Sequence, residues 1–279
     1  MPGKYLEDDL SVYTESDGVV LVQFKNLLRH SDSLTHAFST RHGGVSTGEC
    51  SSLNLGLTRN DPRENVLENF RRFGKALGVS VEDMVFTNQV HGKRVLKAGI
   101  QDKGKGPVRK SDLLEVDGLI TTERGVALVT FYADCVPVFL FDPVKKVIGL
   151  SHSGWRGTVT EIAGETVNRM SAEYGCCPVD LEAVIGPSIG KCCFEVGREV
   201  YEEFLRMLPW SQEFLEQTGA DKWHIHLQGI IARSLENAGM KADRIGISGL
   251  CTKCNTHRFF SYRGEKGKTG SMAALLQLK

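Results

Sequence analysis

The chain has no excess of either charge. Lysine and arginine total 34, and aspartate and glutamate total 34, so the formal net charge of the 279 residues is zero. Such a balance gives the surface as a whole no electrostatic attraction for nucleic acid or an anionic membrane. A membrane-length apolar run is also missing, because the longest apolar stretch, 126–141, is broken by Asp134 and Pro137. The first ten residues, MPGKYLEDDL, carry acids where a secretory leader needs an apolar segment. There is no internal repeat and no low-complexity tract. These absences lead to the expectation of a cytoplasmic protein with no nucleic-acid or membrane partner and with a monomer favoured.

What is present is an ordinary globular mixture, 41% hydrophobic and 24% charged, with ample material for a core. At roughly 100–200 residues per domain, the length fits one large domain or two packed closely. The only linker-like segment, Gln101 to Ser111, interrupts two strand-like runs and reads as a mobile surface loop. A single domain over 1–279 is expected.

Strand patterns dominate the first two-thirds, at 18–24, 35–41, 83–91, 117–122, 125–131, 146–152 and 181–186. Three helices are marked. Asp61-Pro62-Arg63-Glu64 supplies an N-cap, a Pro at N1 and a Glu at N3, with Gly78 as the stop. Thr158 and Glu161 form a second capping box, opening a helix with Val159, Ile162, Ala163, Val167 and Met170 on one face. A third helix is expected over 221–238, carrying Trp223, Leu227, Ile230, Ile231 and Leu235 on one face and placing His224 and His226 on it. Strands outnumber helices without strict alternation, which predicts an α+β fold of layered mixed β-sheets flanked by helices.

Eight cysteines are present. The adjacent pairs Cys176–Cys177 and Cys192–Cys193 read as small buried hydrophobes. Cys251-x-x-Cys254-x-x-His257 looks like half a zinc knuckle with no second half nearby, and reads as a structural turn. Gly186-Pro187-Ser188-Ile189-Gly190 matches the G-x-S-x-G nucleophile pattern, but Pro187 stiffens the turn and no helix start follows.

Three potential metal ligands fall at the ends of predicted strands: His91 in NQVHG, Cys135 in YADCVPV and His152 in SHSGWRG. One thiolate and two imidazoles suit zinc and leave a fourth position open. A structural histidine or a core cysteine would read the same at each position taken singly. Gly154-Trp155-Arg156-Gly157 leads into a helix start, a place suited to an anion. Ser39-Thr40-Arg41-His42-Gly43-Gly44 combines an arginine with glycines, and Asn54 in SLNLG offers an amide for a base or sugar.

Taken together, STRHGGVS, SLNLG, NQVHG, YADCVPV, SHSGWRGT, IGPSIGKCCFEV, CTKC and FFSYRGEKGKTG resemble, in that order, the laccase-domain family of YfiH-like and YlmD-like proteins, also called multicopper polyphenol oxidoreductases. The resemblance covers about His36 to Ala274. It implies a layered α+β fold and a metal site of His91, Cys135 and His152, holding zinc, with copper as the other candidate. It also implies phosphorolysis of adenosine, inosine, guanosine and methylthioadenosine, and deamination of adenosine, with purine nucleosides and phosphate as partners. Cys135, Arg41 and Arg156 are then the catalytic set, and Asn54, Gln89, Asp134 and Arg263 the substrate-binding set. The family often carries an Arg before the Met of its terminal TGRMA-like segment, whereas this chain has Ser271, so Arg263, Lys266 or Lys268 would have to substitute. Lys191 likewise stands where a proline is expected.

Two other chemistries fit parts of the pattern. A copper polyphenol oxidase needs many imidazoles, and only eight histidines are available. A metal-free Cys–His hydrolase, with Cys135 as nucleophile and His152 as base, would suit the editing of cell-wall precursors.

Overall fold

Alternation along two central strands decides the layering. The computed structural model describes residues 10–279. The chain opens with β1 (Ser11–Ser16), β2 (Val19–Phe24), the one-turn helix α1 (Lys25–Leu28) and β3 (Leu34–Ser39). Then come α2 (Arg63–Leu77), β4 (Met84–Phe86) and β5 (Val95–Lys97). Strands β6 (Gly118–Thr121), β7 (Ala127–Tyr132), β8 (Val136–Asp142) and β9 (Val147–Ser153) lead into α3 (Trp155–Val159) and α4 (Ile162–Tyr174). Next are β10 (Glu182–Ile185), β11 (Glu195–Gly197), α5 (Arg198–Met207), β12 (Leu215–Gly219) and β13 (Lys222–Ile225). α6 (Leu227–Asn237), β14 (Ile245–Ile247) and β15 (Met272–Leu278) complete the fold.

One sheet has the order β1-β2-β3-β15-β7-β4, a second β14-β10-β8-β9-β6-β5, and a smaller one β11-β13-β12. Both large sheets are mixed, since β4 runs parallel to β7, β5 to β6 and β10 to β14. In β8, Phe139 and Phe141 enter the core between the two large sheets, while Val136, Val138 and Leu140 face the opposite way, onto Ile162, Val167 and Met170 of α4 and Ile230 and Leu235 of α6. In β7, Leu128 and Tyr132 join the inter-sheet core, and Ala127 and Val129 face Val66, Phe70 and Phe73 of α2. This period of two buries both faces of each strand and stacks helix, sheet, sheet, helices. The α+β fold of layered mixed sheets is the one expected.

Several local expectations are corrected. The first of the expected helices, α2, starts at Arg63 with Pro62 as its cap. Asp61 instead turns its carboxylate to Ser46 (2.6 Å) and Asn54 (2.8 Å). Gly78 ends the helix as expected, in the left-handed region at φ 67°. Thr158 does not cap α4: it lies inside α3 and its hydroxyl donates back to the Gly154 carbonyl at 3.0 Å. Glu161, at φ 57°, breaks the chain between the two helices.

The region 221–238 is split into β13 and α6. Trp223 and Ile225 are inward on a strand, Trp223 stacking on Tyr201 at 4.3 Å. His224 is therefore on a strand, and His226 caps α6. Residues 101–111 form a pinned turn: Gly104 N–H donates to the Met84 carbonyl (2.8 Å), and the Lys105 ammonium lies 2.7 Å from both Asp102 and Asp112. No helix among the described residues is long and apolar enough to cross a membrane.

Candidate active site

The chain passes from the first large sheet to the second in two places, between β4 and β5 and between β7 and β8. His91 lies on the first passage and Cys135 on the second, while His152 sits near the end of β9, opposite Pro137. Strand order thus brings together three residues far apart in sequence. One ligand atom from each lies within 4.8 Å of the other two. His91 Nε2 is 3.8 Å from Cys135 Sγ, and the two imidazole rings meet edge to face at 4.9 Å.

Asp117, immediately before β6, builds the support. Its buried carboxylate accepts the N–H groups of Val90 (3.0 Å), His91 (3.0 Å) and Gly92 (2.9 Å), fixing the turn that carries His91. The same carboxylate lies 2.9 Å from His152 Nδ1. With Nδ1 occupied, Nε2 of His152 is the free ligand atom, the usual arrangement of a metal-binding histidine and its carboxylate. Gly154 completes the fit, because a Cβ there would stand 2.7 Å from the His91 ring and 3.1 Å from Cys135 Sγ. The donor set, its spacing and its supporting carboxylate all fit a metal ion.

Electrostatics couple the same groups. Burial pushes the Cys135 thiol up, but His152, through charge and hydrogen bonding, and then His91 bring it down overall to about 6. Burial lowers His152, whereas the Cys135 thiolate and Asp117 raise it, overall to about 9. Burial raises the Asp117 carboxyl, and its bonds from His152, Val90 and Gly92 carry it below the ordinary carboxylate range. Thiolate and imidazolium stabilise one another.

His91, Cys135 and His152 open onto a cavity of about 660 Å³. Phe131, Tyr132, Trp155, Phe194, Leu227 and Tyr262 give it apolar and aromatic walls, and Arg59 and Arg263 also line it. Arg59 donates through Nε to Ser271 Oγ at 2.8 Å and lies over the Tyr262 ring. A guanidinium therefore stands at Ser271, where a terminal arginine was missed, but it arrives from a loop 212 residues earlier.

The other expected site residues are distributed unevenly. Gln89 lines the cavity, yet its amide clamps Phe131, donating to the carbonyl (2.9 Å) and accepting from the N–H (2.7 Å). Asp134 also lines it, at φ 88°, held by Thr252 Oγ1 (2.6 Å), Ser261 Oγ (2.7 Å) and the Arg263 N–H (2.6 Å). Arg263 donates to the Glu195 carbonyl at 2.8 Å. Asn54 is fully buried and does not line the cavity; its side-chain Oδ1 accepts from the Gly56 and Ser271 N–H groups, both at 2.9 Å.

Arg41 is not brought there either. It bonds the Thr256 carbonyl (2.7 Å) and Glu265 (2.9 Å) and covers the Phe260 ring. Arg156 lies outside the lining, exposed and stacked on its neighbour Trp155 at 4.3 Å. Lys266 and Lys268 are exposed and away from the cavity wall. Ser188 is fully buried and accepts a hydrogen bond from Gln228 at 2.9 Å, so the nucleophile pattern carries no accessible serine.

Asp117 and Arg59 were not identified from sequence. Asp117 only looked like the first residue of a strand, and Arg59 sits in the unmarked segment Leu57-Thr58-Arg59-Asn60.

Residues 35–279 match the sequence profile of the family described as multi-copper polyphenol oxidoreductase laccase. The chain is 36% identical over 244 residues to the purine nucleoside phosphorylase YlmD of Bacillus subtilis, covering 87% of each. It is 37% identical over 262 residues to a purine nucleoside phosphorylase of Deinococcus radiodurans, covering 94% of each. The crystal structure of YlmD from Geobacillus stearothermophilus superposes with a TM-score of 0.90 at 34% identity, covering 97% of this chain and 99% of that one.

Proposed function

The chain belongs to the multi-copper polyphenol oxidoreductase laccase family, and from that premise we propose that it is a zinc-binding purine nucleoside phosphorylase. Its substrates are adenosine, inosine, guanosine and methylthioadenosine, together with phosphate. The observation that carries this reading is the cavity itself, in which aromatic walls, two arginines and the His91–Cys135–His152 cluster face one space.

Phosphorolysis breaks the bond between C1′ and the purine nitrogen, and a phosphate oxygen takes the base's place. The protein must hold an anion beside a sugar that gains positive character, and must exclude water, which would give free ribose. Arg59 and Arg263 are the cations placed to hold phosphate. Arg59 uses Nε on Ser271 and keeps both terminal amino groups for a planar, two-pronged contact. Phe131, Trp155 and Phe194 offer flat apolar surface to the base. His91, Cys135 and His152 would hold zinc, which when bound supplies Lewis-acid polarisation of a substrate oxygen.

Adenosine deamination is the finer reading that these side chains support least. It calls for a proton-transferring group at the base, and Asp134, the only carboxylate lining the cavity among the described residues, already accepts three hydrogen bonds. A multicopper oxidase is also poorly served. Among the described residues, the groups spaced for a metal are this one and a set of four cysteines, so a single pair of imidazoles is available.

A second reading has a specific observation behind it. Cys135, His152 and Asp117 stand in the order nucleophile, base and orienting carboxylate, with the thiol drawn down to about 6. A metal-free hydrolase would use them so.

The test incubates zinc-loaded protein with inosine, with and without phosphate. Ribose 1-phosphate formed only with phosphate, and lost on chelation, is the expected result. Free ribose at the same rate without phosphate would overturn phosphorolysis. Full turnover of an amide or ester substrate by stripped protein would favour the hydrolase.

A further inference from the structure

Outside the cavity, four cysteines from two distant segments converge. Cys192 and Cys193 lie in the turn after Gly190, and Cys251 and Cys254 in the turn after β14. All four sulfurs lie within 4.8 Å of one another. Cys254 Sγ is 3.6 Å from Cys192 Sγ and 3.5 Å from Cys193 Sγ. The sequence reading of Cys192–Cys193 as buried core is corrected here: Cys192 and Cys254 are exposed, Cys193 is half-buried and only Cys251 is buried. In the other adjacent pair Cys176 is buried and Cys177 exposed. The half-knuckle at Cys251–Cys254 does have a second half, supplied by Cys192–Cys193, while His257 is not part of the cluster.

We propose that Cys192, Cys193, Cys251 and Cys254 form a second metal site, a tetrahedral tetrathiolate that takes zinc and fastens a loop of the cavity wall to the loop that supports Asp134. Zinc–sulfur bonds of about 2.3 Å in a tetrahedron set sulfur–sulfur edges of about 3.8 Å. The contacts of Cys254 are already close to that edge, whereas a disulfide needs about 2.05 Å. Cys254 also meets Cys192 and Cys193 at nearly equal distance, so the arrangement selects no single disulfide partner, while one ion engages all four.

The backbone is built around the sulfurs. Gly190 N–H donates to Cys251 Sγ at 3.2 Å, a bond that favours the thiolate. A Cβ at Gly190 would stand 3.1 Å from Cys251 Cβ and 3.2 Å from Cys192 Sγ, so a side chain there would crowd the cluster. Asn255 closes the Cys251–Cys254 turn by donating through Nδ2 to the Cys251 carbonyl at 2.8 Å.

The location gives the site a consequence. Ser188 pairs with Cys251 as an isolated bridge, and Thr252 N–H donates to the Ser188 carbonyl at 2.9 Å. Ile189 and Phe194, on either side of Cys192–Cys193, line the cavity. Thr252, next to Cys251, holds Asp134. A metal at the four sulfurs would therefore fix Phe194 and the Asp134 support relative to each other without touching substrate.

The experiment uses the full chain, purified under reducing conditions from zinc-supplemented medium. In Cys135→Ala, which removes a ligand of the other site, we expect one zinc per chain by elemental analysis. Cobalt substitution of that variant should give the intense near-ultraviolet thiolate-to-cobalt band of a tetrathiolate. The band and the zinc should both vanish when Cys192→Ser and Cys254→Ser are added. Stripping the ion should raise amide exchange several-fold across 188–194 and 250–255. A folded Cys135→Ala protein without zinc, or cobalt bound without that band, overturns the site. So does a mass lighter by two hydrogens, restored by thiol reductant, in zinc-supplemented protein isolated anaerobically without reductant, since the cluster would then be a disulfide. Because the first two readouts need only Cys135→Ala, misfolding of the triple variant leaves the proposal decidable, and neither depends on nucleoside turnover.

Discussion

Asp117 and His152 are joined twice: the carboxylate lies 2.9 Å from His152 Nδ1, and the Asp117 carbonyl accepts the His152 N–H at 2.7 Å. The first contact fixes which ring nitrogen faces Cys135 and His91, and the second ties the start of the β6 segment to β9. Since the same carboxylate also holds three N–H groups of the His91 turn, one residue orients two of the three clustered side chains.

Asp117→Asn keeps the size of the side chain and exchanges an accepting oxygen for a donor. Zinc affinity is expected to fall by about 10–100-fold, the usual cost of losing such a support. Competition with a chromogenic chelator measures it, and an unchanged dissociation constant would show that the carboxylate does not orient the ligands.

The coupled thiol gives a second outcome. In protein stripped of metal, alkylation of Cys135 should reach half its maximal rate near pH 6 instead of the ordinary thiol range, because the neighbouring imidazoles favour the thiolate. Reactivity rises with pH through that point. Zinc should suppress it, and His152→Ala should move the midpoint upward. A midpoint unmoved by His152→Ala would break the pairing.

Arg59 and Arg41 separate substrate binding from structure. Arg59→Ala should raise the KM for phosphate about tenfold or more, since it removes a charged contact from the cavity. Arg41→Ala should leave that KM nearly unchanged and lower stability by about 1–3 kcal/mol, because Glu265 and the Thr256 carbonyl lose their partner. Initial rates against phosphate and denaturant unfolding of both variants decide it; the opposite pattern would return the anion to Arg41.

His36 supplies a pH dependence away from the site. Burial alone drives its pKa down to about 3, and its Nε2 accepts the Phe24 N–H at 2.9 Å, so the ring is neutral in the native protein. An unfolded chain protonates it near 6.5. Between those values the unfolded state binds more protons, and stability falls as pH falls, by up to about 1.4 kcal/mol per pH unit. His36→Gln, whose carbonyl also accepts an N–H, should lose that share of the slope. Equal slopes for wild type and variant between pH 6 and pH 4 would contradict a neutral, buried His36.

The sequence by itself determined the layered α+β class, the end of α2 at Gly78, the buried face of α4, and the segments carrying His91, Cys135 and His152. Each rests on local information: a period of two or 3.6, or a short motif read whole. It did not determine β13, because Trp223 and Leu227, four positions apart, fit one face of a helix while Trp223 and Ile225 fit alternate positions on a strand, and pairing with β11 and β12 decided between them. Nor did β15 stand out, since MAALLQL is buried on both faces and shows no alternation. Only the tertiary structure placed Arg59 against Ser271 and the four cysteines in one cluster, and turned Arg41 from the cavity to Glu265. Those contacts join residues 61 to 224 positions apart, through sheet order and loop packing, and no local pattern encodes such distances.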